Sequence, residues 1–153
     1  MRLIRNSRLF LLLISIDQLS KWLVLKYCIF GVTYKIFSIV SCKLVFNRGI
    51  AFGLFNCSEK HAFIGVSLAI IVVYQLFVGY FFIGNCRRSF ESLKIGELLI
   101  LAGGLSNIID RLMHAGVVDF ILLSYHGWAW PIFNIADACI VLGVFIMGWS
   151  LLK

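Results

Sequence analysis

The sequence predicts an α-helical membrane protein that crosses the bilayer four times. Of its 153 residues, 61% are hydrophobic and 14% are charged, whereas soluble domains contain about 45–50% apolar and about 25% charged residues. This composition argues against a soluble globule, and also against a disordered chain, which requires low hydrophobicity. The length is typical of one domain, which we expect to cover residues 1–153.

Four stretches of the sequence are candidates for membrane-spanning helices, each of which needs ~20 mostly apolar residues. They are residues 9–27, 62–83, 95–110 and 132–152. The second stretch has no charged residue, and the fourth has only Asp137. The third is the shortest and includes Glu97, so it forms a span only if its ends extend into the flanking polar residues.

The basic residues predict how these helices are oriented. Lysine and arginine are dense before the first span, between the second and third spans, and after the fourth: Arg2, Arg5, Arg8, Arg87, Arg88, Lys94 and Lys153. Because Lys and Arg are enriched in cytoplasmic loops, we expect both termini to be cytoplasmic. Segments 28–61 and 111–131 are then extracytoplasmic, and the β-branched and aromatic residues of the former favour short strands.

Net charge and cysteine spacing limit the classes of partner. The net charge of +7 is typical of a protein that contacts the anionic headgroups of membrane lipids. The sequence has no basic strip interleaved with aromatic residues, so no nucleic-acid partner is predicted. Its five cysteines include no C-x-x-C pair, which argues against a zinc site or a disulfide framework. Only Cys42 and Cys57 could share a loop on one side of the membrane, and whether they are bonded stays open.

Charged and amide side chains in or beside the spans are candidates for function because they are costly in a bilayer. Asp17 and Lys21 are one helical turn apart, in the order that favours an ion pair. Mutual neutralisation inside the helix bundle is therefore as reasonable as a direct role in function.

A second polar group lies near the end of the third span. Gly103, Asn107 and Arg111 recur at every fourth position and line one face of the helix, with Asp110 beside them. The glycine allows a neighbouring helix to approach closely, and the two polar side chains could hydrogen-bond a peptide backbone. They could equally join helices, with the arginine reaching to the membrane interface.

Two acids are predicted to meet at the outer boundary of the bilayer. Asp137 is five residues beyond Ile132, or roughly 8 Å along the fourth helix at ~1.5 Å per residue, and Asn134 shares its face. Asp119 lies in the short apolar segment that follows the third helix. Two adjacent carboxyls share a proton, so one can activate water while the other polarises a carbonyl group, as in aspartic peptidases. For each acid taken singly, helix capping is the alternative.

Five motifs resemble, in order, those of the lipoprotein signal peptidases, also called signal peptidase II. They are DQLSKW from Asp17, NRGIAFG from Asn47, GG from Gly103 with NIIDR from Asn107, VVDFI from Val117, and FNIAD from Phe133. The combination of the third to fifth motifs is highly specific. The match extends over residues 17–137, which is most of the chain.

The resemblance implies a four-helix peptidase of the bacterial cytoplasmic (inner) membrane, with a small extracytoplasmic β-sheet that cradles the substrate. It implies that Asp119 and Asp137 are the catalytic pair. Asp17, Lys21 and Asp110 are then structural polar residues. The residues implied to support the bound peptide are Asn47, Gly49, Asn107, Arg111 and Asn134.

The implied substrate is a prolipoprotein whose cysteine carries a diacylglyceryl group, and the cut falls just before that cysteine. A carboxylate pair and one water suffice for this reaction, so no metal and no organic cofactor is predicted. We expect a monomer whose active site lies on the extracytoplasmic side. Which aspartate is protonated at rest stays open.

A small proton-coupled transporter is the main alternative, because acids within a membrane also build proton relays. A transporter predicts polar residues through the full depth of several helices, whereas these acids cluster towards one surface. A structural membrane subunit, whose polar groups only fasten helices together, is a third possibility.

Overall fold

The computed structural model describes residues 2–49, 60–82 and 95–152. Over these residues the chain forms helices α1 (Arg2–Tyr27), α2 (Lys60–Phe82), α3 (Ile95–His114) and α4 (Ile135–Leu151). Its strands are β1 (Thr33–Lys35), β2 (Val40–Asn47), β3 (Val117–Tyr125) and β4 (Trp128–Ala129). The strands form one antiparallel sheet in the order β1-β2-β3-β4. The predicted combination of four helices and a small sheet is therefore confirmed.

The helix ends differ from the sequence prediction, by one or two residues in α2 and by more in the other three helices. Helix α1 begins at Arg2 rather than at residue 9, since the basic residues before the apolar run are also helical. Helix α3 continues to His114 and ends where Ala115 takes a φ of 52°. Helix α4 begins three residues later than predicted, because Phe133 forms a β-bridge with Ile121. Over the ranges that the structure describes, no helix has both the length and the apolar character that a bilayer crossing requires.

The central pair of strands brings two distant parts of the chain together. β2 pairs with β3 so that Val45 lies opposite Asp119 and Asn47 opposite Val117. Asn47 is the last residue of β2. Because cross-strand neighbours on one face of a sheet lie within side-chain reach, this register allows the Asn47 amide to contact the Asp119 carboxyl.

Helices α3 and α4 are in close backbone contact at Gly103. A Cβ atom added to this glycine would collide with the carbonyl oxygen of Ala136 and lie 2.8 Å from Cγ1 of Ile140. The expectation that Gly103 permits close approach of a neighbouring helix is confirmed. One turn further along α3, Asn107 consequently reaches the first turn of α4.

Two cysteines, Cys28 and Cys42, make a contact that the sequence did not indicate. The Sγ atoms of Cys28 and Cys42 are 3.7 Å apart, and both thiols are free. Burial, with a smaller contribution from Cys28, raises the pKa of Cys42 to about 11, so its thiol is neutral at pH 7. Cys57 lies outside the described residues, and Cys42, with which it could share a loop, has a free thiol.

Candidate active site

Asp137 lies in the first turn of α4, where it is the third helical residue. Asn134 is the N-cap: its Oδ1 accepts a hydrogen bond from the Asp137 N–H at 2.8 Å, and its own N–H donates to Asp137 Oδ2 at 3.4 Å. This is a capping box. Asp137 is thus nearer to the helix end than its predicted position five residues in, and it combines the capping role with a place beside the second acid.

Asp119 projects from β3 and is 1% exposed. Its Oδ1 accepts a hydrogen bond from Asn134 Nδ2 at 2.6 Å, and its Oδ2 accepts one from Asn47 Nδ2 at 3.0 Å. Burial, together with the charge of Asp137, raises the pKa of Asp119 to about 7, although the two amide hydrogen bonds oppose the shift. A carboxyl with this pKa can both hold and release a proton at neutral pH.

Asn107 completes a hydrogen-bonded path between the two acids. Its Nδ2 donates to Asp137 Oδ1 at 2.8 Å, and its Oδ1 accepts from Asn134 Nδ2 at 3.2 Å. Asn134 Nδ2 is also the donor to Asp119. Two side-chain amides therefore link the Asp119 carboxyl on β3 to the Asp137 carboxyl on α4.

A cavity of about 170 Å³ opens beside these groups. Its polar side is formed by Asn47, Asn107, Arg111 and Asp137, and its apolar side includes Ile70, Val117 and Ile140. Because Asp137 lines the cavity, a molecule in this space can contact one of the two acids directly.

Arg111 is 6% exposed, so it lies inside the protein rather than reaching to an interface. Its guanidinium group donates to the carbonyl oxygen of Gly49 and to Ser67 Oγ, the latter at 3.4 Å. The Gly49 N–H donates in turn to Asn47 Oδ1 at 2.9 Å. Arg111 therefore binds a peptide backbone of this chain and fixes the turn after β2, next to the cavity.

Asp17 and Lys21 form the ion pair that their spacing predicts, with Lys21 Nζ 2.7 Å from Asp17 Oδ2. The same ammonium group lies 2.9 Å from Asp110 Oδ2 and 3.0 Å from Asn107 Oδ1. Asp17 Oδ1 accepts the backbone N–H of Ala136 at 2.8 Å, and Asp110 Oδ2 accepts that of Val118 at 2.9 Å. This cluster thus holds the first turn of α4 and the beginning of β3.

Comparison with known proteins relates this chain to one family over nearly its whole length. The family model for signal peptidase II matches residues 9–153. The chain belongs to the signal peptidase II family. Signal peptidase II is a peptidase, and the resemblance inferred from the sequence is confirmed.

Named relatives and solved structures of similar chains agree with this family. A lipoprotein signal peptidase of Polynucleobacter necessarius is 32% identical over 99% of this chain and 91% of its own length. One of Burkholderia vietnamiensis is 33% identical over 94% of this chain and 84% of its own. Two structures described as bacterial membrane enzymes are each 29% identical and cover 97% of this chain, with TM-scores of 0.78 and 0.76; the matches cover 88% and 93% of those chains.

The structure brings together every predicted site residue, but two further polar residues of this signal peptidase II chain were missed. Gln18 Nε2 donates to Ser106 Oγ and to Asp110 Oδ1, both at 2.9 Å, and Ser106 Oγ donates to Asp17 Oδ2 at 2.7 Å. Both side chains are uncharged, so they stand out less in an apolar helix than an acid does. Their positions next to Asp17 and one turn before Asp110 were the available signal.

In the described part of this signal peptidase II chain, residues 2–49, 60–82 and 95–152, every buried side-chain nitrogen and oxygen has a hydrogen-bond partner. The same residues contain no group of three or more His, Cys, Asp or Glu that could hold a metal ion.

Proposed function

We propose that this member of the signal peptidase II family removes the signal peptide from prolipoproteins by aspartic catalysis, with Asp119 and Asp137 as the acid–base pair. The observation that carries the proposal is the path of side-chain amides that joins the two carboxyls beside a cavity. The substrate is a diacylglyceryl-modified precursor, which is cut immediately before its lipidated cysteine.

In the proposed reaction, one carboxylate takes a proton from a water molecule as that water attacks the scissile carbonyl carbon. The other, protonated carboxyl hydrogen-bonds to the carbonyl oxygen and stabilises the developing negative charge. The tetrahedral intermediate then collapses: the C–N bond breaks, and the leaving nitrogen receives a proton from the carboxyl that took it from water. The raised pKa of Asp119, about 7, supports this shared use of one proton at neutral pH.

The supporting residues have separate proposed roles around the bound peptide. Asn134 and Asn107 orient the carboxyls through the amide hydrogen bonds described above. Asn47 contacts Asp119 and also the Gly49 N–H, so it couples the acid to the turn that follows β2. Arg111 fixes that turn from the other side, which keeps the edge of the cavity in place for an extended peptide.

We also propose that the whole chain, residues 1–153, is one membrane domain whose four helices span the bilayer. Large apolar side chains project outward from two helices, among them Leu76 at 68% exposure and Phe145 at 71%. Exposed apolar surface of this kind is suited to lipid contact. With both termini in the cytoplasm, the sheet and the two acids lie at the extracytoplasmic side, where the lipid of a precursor can stay in the bilayer during cleavage. The proposed enzyme acts as a monomer in contact with membrane lipids.

The transporter alternative finds no support in the comparisons, because the family model and the named relatives are peptidases. The arrangement of acids also argues against it: each is held by amides or by a single lysine rather than forming a series across the helices.

The test is a gel-shift assay with purified protein and a diacylglyceryl-modified precursor. Asp119→Asn and Asp137→Asn should each reduce the cleavage rate about 10²- to 10⁴-fold, the usual contribution of acid–base catalysis, while the thermal transition is retained. Glu97→Gln is a matched control, because Glu97 is a buried acid at the far end of α3 and should keep normal cleavage. Folded Asp→Asn variants that cut at the wild-type rate would refute the mechanism, and proton flux in liposomes without cleavage would favour a transporter.

A further inference from the structure

Lys21 has an unusual environment for a buried lysine. Its side chain is 2% exposed, and its Nζ atom has three close acceptors: Asp17 Oδ2, Asp110 Oδ2 and Asn107 Oδ1. An ammonium group has three N–H donors and no acceptor. Two donors therefore meet carboxylates, and the third meets a neutral amide whose other end contacts Asp137.

The third contact decides the orientation of the Asn107 amide. A side-chain amide has an oxygen acceptor on one side and an NH₂ donor on the other. Because Lys21 can only donate, the oxygen of Asn107 must face it, and the NH₂ group then faces Asp137 Oδ1 at 2.8 Å. The reversed amide would place NH₂ against the ammonium group and oxygen against the Asp137 carboxyl, so both contacts would be repulsive.

We propose that Lys21 is a positioning residue for the reaction: it fixes the Asn107 amide so that an N–H donor always faces Asp137. This rests on the proposed aspartic function. The Asn134 amide is oriented separately, because its Oδ1 accepts the Asp137 N–H. Its Nδ2 donates to Asn107 Oδ1 and to Asp119 Oδ1. Lys21 and Asn134 thus both donate to the Asn107 oxygen, and the effect of Lys21 falls on the donor to Asp137.

A purely structural role would not require this third contact. Asp17 and Asp110 already neutralise the lysine at 2.7 and 2.9 Å, and they connect to α4 and β3 through backbone N–H groups. Lys21 is not among the residues that line the cavity. Its loss should therefore change the reactivity of the acids much more than the binding of substrate.

The charged groups around Lys21 determine the expected pH dependence. Asp17 faces it from its own helix and Asp110 from α3, while Asp119 on β3 and Asp137 on α4 lie further away and feel its positive charge. Without Lys21 the Asn107 oxygen keeps one donor, Asn134 Nδ2, so the amide is held less firmly with its NH₂ group towards Asp137. The loss also removes a positive charge that favours the ionised form of Asp119, so the pH profile of kcat should move to higher pH.

The first experiment compares Lys21→Met with Lys26→Met. Lys26 is on the same helix but is exposed, with its ammonium group 4.8 Å from the centre of the Trp22 ring, so its replacement should leave cleavage unchanged. For Lys21→Met we expect kcat to fall about 10- to 100-fold, the size found when an outer partner that orients a site residue is removed, with KM within about twofold of wild type. Normal kcat, or a loss confined to KM, would overturn the proposal.

A double-mutant cycle tests whether the effect passes through Asn107. In an Asn107→Leu background the amide is absent, so adding Lys21→Met should lower kcat less than about threefold. If Lys21→Met lowers kcat by the same factor in both backgrounds, Lys21 acts independently of Asn107 and the proposal is wrong.

Folding needs its own control, because Lys21→Met leaves two buried carboxylates without a cation. The variant Lys21→Met with Asp110→Asn removes one of these charges and keeps an oxygen acceptor for Val118 N–H. It should show the same loss of kcat with a retained thermal transition, whereas wild-type kcat would contradict the positioning role. If wild type cleaves and Asp119→Asn does not, while the compensated variant has normal kcat, only the role of Lys21 is refuted. If wild type does not cleave at all, the proposed function is refuted.

Discussion

Two pairs of aspartates lie close together in this protein, and the partners of their carboxyl groups differ. Asp17 and Asp110 share a lysine, whose ammonium group is within 2.9 Å of both. Asp119 and Asp137 are held by asparagine amides, and among the described residues neither has a cation within ion-pair distance. Burial alone does not explain the difference, since Asp119 is as buried as Asp17 and Asp110, each at 1% exposure, whereas Asp137 is half-buried.

The nature of the partner therefore distinguishes the acids that we propose to be structural from those that we propose to be catalytic. Asp17 and Asp110 contact a cation directly, and each also accepts a backbone N–H group from another element. Amide donors stabilise the charge less, so desolvation prevails and the pKa of Asp119 rises to about 7. The first pair is suited to holding the fold together, and the second to exchanging a proton.

Replacement of Asp110 should have the largest effect on stability, and it tests the comparison of the two pairs. Asp110→Ala removes an ion-pair partner of Lys21 and the acceptors of Val118 N–H and Gln18 Nε2. Breaking a buried pair in this way costs about 3–5 kcal/mol, which denaturant unfolding of the purified protein would measure. Asp119→Asn should change stability much less, and equal losses in the two variants would remove the distinction between the pairs.

A smaller loss of stability is expected at Gly103, where the contact of α3 with α4 brings the two pairs of aspartates together. Gly103→Ala forces α3 away from the Ala136 carbonyl, and overpacking of this kind costs about 1–3 kcal/mol. Because Asn107 and Asp137 lie on these two helices, cleavage should fall as well. Gly148→Ala is the matched control, since a Cβ there meets nothing within 4 Å; it should be neutral or slightly stabilising, and a loss of stability equal to that of Gly103→Ala would contradict the packing explanation.

The smallest expected effect is a shift in pH dependence at Asn47. Its hydrogen bond favours the ionised form of Asp119 and so lowers that pKa. Asn47→Ala removes this donor, and the pKa of Asp119 should rise further, by about one unit for a charge-assisted hydrogen bond of ~1.5 kcal/mol. The limb of the kcat/KM–pH profile that reports Asp119 should move to higher pH by a similar amount. A downward shift would show that Asn47 does not stabilise the carboxylate.

Much of this arrangement could be predicted because charged residues are conspicuous in an apolar sequence. Asp17, Lys21, Asp119 and Asp137 were identified because each interrupts or borders an apolar stretch. Short strands were expected within residues 28–61 from β-branched and aromatic residues, without exact bounds, and the structure has them at Thr33–Lys35 and Val40–Asn47.

What could not be predicted depends on contacts between distant residues. Hydropathy does not distinguish a helix from a β-bridge, so Phe133 was assigned to the fourth helix although it pairs with Ile121. The better signal was Asn134 followed three residues later by an acid, which marks the start of a helix. Gln18 was missed because its partners Ser106 and Asp110 are 88 and 92 residues away, and neither spacing nor composition indicates such a contact.

The hydrogen bond from Ala136 N–H to Asp17 spans 119 positions of the chain. Because residue 17 is synthesised long before residue 136, this hydrogen bond can form only after the first turn of α4 has been made. A nascent chain in which α4 has not yet been made lacks Asp137 and cannot form this hydrogen bond. The site would thus assemble only after α4 is synthesised, and a chain that stops before α4 would be inert rather than partly active.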